Sequence, residues 1–130
     1  MKTDNYILAT GAIFGGLSVA IGAFAAHGLK AVLDPAALSW VQTGAQYQMY
    51  HGLVILIIGF ALKQWPEMKG MKAAAYCFSA GIILFSGSLY ALAATQVHAL
   101  GIITPLGGLA LLAGWSIMIY AALRQPEPSD

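Results

Sequence analysis

Three histidines and two short polar runs are the parts of this chain equipped for chemistry. His27, His51 and His98 carry imidazole, the commonest metal ligand and the side chain that titrates nearest neutral pH. Tyr47-Gln48-Met49-Tyr50-His51 packs two phenols, an amide and an imidazole into five residues, and Ser86-Gly87-Ser88-Leu89-Tyr90 adds two hydroxyls and a third phenol. Three histidines could hold a metal ion, and two facing ones could ligate a haem inside a helix bundle. A polar set inside a membrane could also line a proton or solute path. Spacing speaks against the metal, because no local ligand motif joins the histidines and only Asp34 could add a carboxylate from their side. The candidate cluster is therefore His27, His51, Tyr47, Gln48, Ser86, Ser88 and Tyr90. It is read first as hydrogen-bonding glue and second as a pathway, with no cofactor expected and metal binding by the histidines left open.

Reaction chemistry has little else to work with. Gly-rich phosphate loops, paired carboxylates, Ser-His-Asp order and Cys-x-x-Cys are all missing, and Asp4 and Glu67 are expected in solvated segments, so no enzyme is expected. Cys77 is the only cysteine, which rules out an internal disulfide. A net charge of +1 without a basic stripe offers nothing to neutralise phosphates, which sets nucleic acid aside.

The elements that position these residues must sit in lipid. Of 130 residues 59% are apolar and only 8% charged, too few for a water-facing surface. The expected fold is an all-α integral membrane protein, one four-transmembrane-helix bundle with spans over residues 6–26, 46–62, 73–94 and 105–123. Span one carries Gly11, Gly15, Ser18, Gly22 and Ala25 at spacings of three and four, a stripe that lets a neighbouring backbone come close. A signal peptide cleaved near Ala23-Phe24-Ala25 is the rival reading, but five glycines from 11 to 28 and the acidic Asp4 make a poor export signal.

Asp34-Pro35 reads as a helix start, with Asp as cap and Pro at the first helical position. The next 28 residues, 35 to 62, hold no charge. Two arrangements fit them: one long tilted helix, or a short surface helix from Ala36 to about Gly44 before the span. The aromatic belt of Trp40, Tyr47 and Tyr50 suits the second better. Residues 63–72 read as a charged loop broken by Pro66 and Gly70. Ala80, Gly87, Ala91 and Ala94 suggest a packing face on span three, and Gly107, Ala110 and Gly114 one on span four. Thr104-Pro105 offers a second cap-plus-proline start, the alternative being a helix from about Ala99 kinked at Pro105. From Arg124 onward a polar tail is expected.

Four spans gather Lys2, Lys63, Lys69, Lys72 and Arg124 at one face and leave Lys30 at the other, so the positive-inside rule places both termini in the cytoplasm. All three histidines then belong to the outer half. Twelve residues separate His51 from Lys63, about 18 Å along a helix, a depth at which an ionisable group needs a partner. Tyr47, Gln48, Ser86, Ser88 and Tyr90 are the candidates.

Four ordered motifs carry a resemblance: Gly22-Ala23-Phe24-Ala25-Ala26-His27-Gly28-Leu29, Gln46 to His51, Leu84 to Tyr90, and Ile103 to Gly108 with Gly114-Trp115. Together they resemble the YgdD-like small membrane proteins, a family of unknown function with bacterial inner-membrane members and eukaryotic transmembrane relatives. Ala25 stands where that family is associated with Gly. The resemblance implies four membrane helices in the plasma membrane and no reaction, ligand or catalytic residue. The expected role is a structural or accessory membrane component in the lipid bilayer, with another membrane protein or a second copy as partner. A small transporter or channel for protons, metal ions or another solute is the alternative.

Overall fold

The computed structural model describes residues 2–124, and the tail beyond Arg124 lies outside the described residues. Helices α1 (Lys2–His27), α2 (Pro35–Gln64), α3 (Met71–Thr95) and α4 (Ile103–Leu123) are each long and apolar enough to cross a membrane. Single 3-10 turns, Leu29–Ala31 and His98–Ile102, lie in the α1–α2 and α3–α4 connections.

α2 starts where its sequence says it should: the Asp34 carboxylate accepts the Ala37 amide at 2.8 Å and Pro35 needs no partner at the first position. It then runs unbroken for 30 residues, which overturns the expected surface helix from Ala36 to Gly44. Ala37 and Val41 are buried with Ala25 of α1 and Ala93 of α3, so this segment is part of the bundle and its aromatics do not mark a change of direction. Such a helix is about 45 Å long, more than a hydrocarbon core needs.

α4 departs from expectation as well. Its first residue is Ile103, no side chain caps it, and Pro105 falls in the first turn, where its missing amide has no partner to lose. Thr104 is not a cap; its hydroxyl faces α3. Between α2 and α3 the return is made by Gly70 at φ 88°, a left-handed conformation that strains any residue with a Cβ.

The helices pack in chain order, α1 on α2, α2 on α3 and α3 on α4. The middle pair is therefore the most buried, while α1 and α4 turn most of their surface outward. Glycines permit the closest approaches. A Cβ on Gly11 would stand 2.7 Å from the Leu56 amide nitrogen, and one on Gly107 would overlap the Phe85 backbone. Lipid tails are as apolar as leucine, so such contact, not exclusion from water, holds membrane helices together.

Gly11, Ser18 and Ala25 of the α1 stripe are buried, as are Gly107 and Gly114 of α4. The small face expected on α3 is not its packing face, since Ala80 and Ala94 are exposed. Held between two neighbours, α3 instead buries a broad mixed surface that includes Ala74, Phe78, Gly81, Ile82 and Ala93. Asp4 is the other correction. Because α1 begins at Lys2, Asp4 shares a helical face with Ile7 and Gly11 and is 6% exposed rather than solvated.

Candidate functional site

Midway along α2, inward-facing positions change from aliphatic to polar: Gly44, Gln48 and His51 are buried above Ile55 and Ile58. Each of the three meets a different neighbour.

Gln48 joins three helices. Its Nε2 donates to the Phe14 carbonyl of α1 at 2.8 Å, and its Oε1 accepts the Tyr90 hydroxyl of α3 at 2.7 Å. These partners fix which way the amide points, since a carbonyl can only accept. Gly44 makes room beside it. The Ser86 hydroxyl donates to the Gly44 carbonyl at 2.7 Å, and the Tyr90 ring lies so close that a Cβ on Gly44 would meet it at 2.6 Å.

His51 links α2 to α4. Its Nδ1 is 2.7 Å from the Tyr47 carbonyl one turn back, and its Nε2 is 3.1 Å from the Trp115 indole nitrogen. A carbonyl offers no proton and an indole N–H accepts none, so the imidazole must carry its hydrogen on Nδ1 and receive the indole's on Nε2. The neutral ring then has both nitrogens engaged and no lone pair left for a metal or haem iron. Ring contacts hold it in place, tilted against Phe78 at 5.5 Å between centroids and edge-to-face against Trp115 at 5.9 Å. Tyr47 contributes its backbone and its ring, which packs 4.7 Å from Phe85.

Ser88 completes the layer. Its hydroxyl donates to the Phe85 carbonyl at 2.9 Å and lies 2.6 Å from the Thr104 hydroxyl of α4. Among the described residues no buried side-chain nitrogen or oxygen lacks a hydrogen-bond partner.

Five of the seven candidates, Gln48, His51, Ser86, Ser88 and Tyr90, thus tie helices together, with Tyr47 supporting them. His27 does not join them, being exposed at the end of α1. His98 stands at the α3–α4 turn with its ring 6.4 Å from Trp40, and no group of three His, Cys, Asp or Glu suited to a metal occurs among the described residues. Sequence reasoning missed Trp115, Thr104 and the Phe14 carbonyl as partners. Trp115 and Thr104 lay in the quoted motifs, but nothing in a linear sequence says that an indole 64 residues away will reach an imidazole. Beside His51, α2 and α4 leave a groove of about 480 Å³, lined by Tyr47, Phe85, Leu112 and Trp115 among others.

Residues 21–108 match the family described as "Protein of unknown function (DUF423)". The chain belongs to that family. Its relatives include the UPF0382 membrane protein YwdK of Bacillus subtilis, 42% identical over 88% of this chain and 93% of that protein. A UPF0382 membrane protein of Haemophilus influenzae is 42% identical over 92% and 95%, and the UPF0382 inner membrane protein YgdD of Escherichia coli is 37% identical over 94% and 92%. No solved structure matches. This member of the DUF423 family is thus an uncharacterised membrane protein. The matched segment contains Gln48, His51, Ser86, Ser88, Tyr90 and Thr104, whereas Phe14 and Trp115 lie outside it.

Proposed function

We propose that this DUF423 protein is a non-enzymatic structural or accessory component of the cell inner membrane, working against another membrane protein or a second copy of itself. The observation that carries the reading is the saturation of the polar layer. Polar groups at membrane depth usually mark substrate paths, where they keep free valences for the passenger. Here Gln48 bonds Tyr90 and the Phe14 carbonyl, Ser86 donates to the Gly44 carbonyl, all across helices, and His51 is closed by Tyr47 and Trp115. Side chains so engaged fix helix positions. Crosslinking in native membranes should trap this protein on a partner or a second copy, and recovery of monomer alone would contradict the proposal.

The lysine distribution supports placing both termini in the cytoplasm. With Cys77 replaced by serine, His98→Cys should react with an impermeant thiol reagent added outside the cell, and Met68→Cys should be protected. A small transporter or channel is the second reading, and the groove beside His51 is what favours it. Flux through reconstituted liposomes that His51→Ala abolishes would establish it against the first.

A further inference from the structure

At the lysine-rich end of the bundle, α1 and α3 both pack on α2, and a crevice of about 220 Å³ opens between them. Its lining is unusual for a lipid-facing gap. Thr3, Tyr6 and Thr10 of α1 face Tyr76 and Ser79 of α3, five hydroxyl-bearing side chains over a floor of Ile7 and Ile55. Positions 3, 6 and 10 make one face of α1, and positions 76 and 79 one face of α3. One turn before each tyrosine stands an exposed lysine, Lys2 before Tyr6 and Lys72 before Tyr76. The nearby carboxylate, Asp4, is turned into the bundle at 6% exposure.

We propose that this crevice binds an anionic phospholipid. The two lysines would attract the phosphodiester at the membrane surface, and the hydroxyls of Thr3, Tyr6, Thr10 and Tyr76 would donate to its oxygens and to the glycerol esters. Ser79, which donates to the Ala75 carbonyl at 2.8 Å, shapes the wall, and one acyl chain would run down over Ile7 and Ile55. A free phosphate shares the headgroup chemistry, but the apolar floor beneath the hydroxyls suits only a molecule with a chain. Basic pockets between membrane helices hold acidic lipids by this combination. The site is separate from the polar layer around His51 and does not depend on the structural role proposed above.

The test uses the full-length protein in nanodiscs of phosphatidylcholine mixed with phosphatidylglycerol, with retained lipids identified by native mass spectrometry. Phosphatidylglycerol should be retained in preference. Lys2→Gln and Lys72→Gln should each reduce that preference about five-fold, the worth of one basic residue at an anionic surface, while Lys30→Gln at the opposite end should not. Ser79→Leu keeps every charge and fills the crevice, so it should release the lipid too. Equal retention of both lipids, an equal loss in Lys30→Gln, or no loss in Ser79→Leu would each overturn the proposal. So would displacement of the bound lipid by soluble glycerol phosphate, which would mark a site for the phosphate alone.

Discussion

From Ile55 to Leu62 the inward residues of α2 are aliphatic and meet Met71, Ala74, Ala75 and Phe78 of α3. Two turns toward the other end, from Gly44 to His51, the same helix face is polar, and bonds with named donors and acceptors cross from it to all three neighbours. The two regions do different work. Aliphatic packing in lipid gains nothing from exclusion of water, so the lower region depends on how closely the backbones approach. It also tolerates a small slide, because one methyl can replace another. The polar layer tolerates none, since a shift of one residue would leave Gln48 and Tyr90 facing apolar neighbours. The lower region therefore supplies contact, and the upper one register.

The largest effect should come from spoiling contact. Gly11→Ala puts a methyl against the Leu56 nitrogen and the Gly52 carbonyl, 2.7 and 2.9 Å away. Both are backbone atoms and cannot rotate aside, so α1 must move off α2 at a loss of about 3 kcal/mol. Reversible unfolding in mixed micelles measures this, and a loss under a third of that size would mean that the α1–α2 contact is softer than described.

Spoiling register should be milder and should couple. Gln48→Leu removes two interhelical bonds and leaves the half-buried Tyr90 hydroxyl without its acceptor, about 1–2 kcal/mol. Tyr90→Phe removes the stranded group. In the double variant the losses should therefore sum to less than the two singles, by about 0.5 kcal/mol or more. Strict additivity would show that the two side chains do not act as one unit and would erase the distinction between the regions.

Much of this was legible in the residues, and the exceptions share a cause. Uncharged runs bounded by lysines gave four helices because lipid admits few alternatives to a helix. Asp34-Pro35 was readable because capping is local. The continuity of α2 was not, since only the burial of Ala37 and Val41 against α1 and α3 decides it. Thr104 looked like a cap for the same reason: its sequence context is a good start signal, but Ser88 across the α3–α4 interface engages it instead. For His51, five candidates were named from nearby turns and polar motifs. Tyr47 supplies its carbonyl rather than its phenol, Gln48 and Tyr90 pair with each other, and the remaining bond comes from Trp115. Local chemistry was legible, and pairing between helices was not.

A smaller effect tests how far the polar layer extends toward α4. Trp115→Phe keeps an aromatic ring near Phe78 and leaves His51 Nε2 without its donor, which should weaken the fold by about 1 kcal/mol. His51→Leu with Trp115→Phe should restore part of it, because neither partner is then left wanting. If the single change is silent, the His51–Trp115 bond does not hold α4, whose place then rests on the Ser88–Thr104 bond and on close packing at Gly107 and Gly114.

The smallest effect sits at the boundary between the regions. Gly15 follows Gly11 by one turn in the same stripe, and its neighbour Phe14 accepts the bond from Gln48. Sequence spacing treats the two glycines alike, as a pair that admits a close helix. Space does not: a Cβ on Gly15 meets nothing within 4 Å. Gly15→Ala should thus change stability by no more than about 0.5 kcal/mol, with better helix propensity acting in its favour. The contrast with Gly11→Ala, read by the same unfolding assay, separates the glycine whose missing Cβ is needed from one whose backbone alone comes near α2, its nitrogen 3.2 Å from where a Cβ on Gly52 would stand. Equal losses at the two positions would mean that a methyl at Gly15 is as badly placed as one at Gly11, and that the spacing of the stripe, not the space beside each glycine, decides the contact.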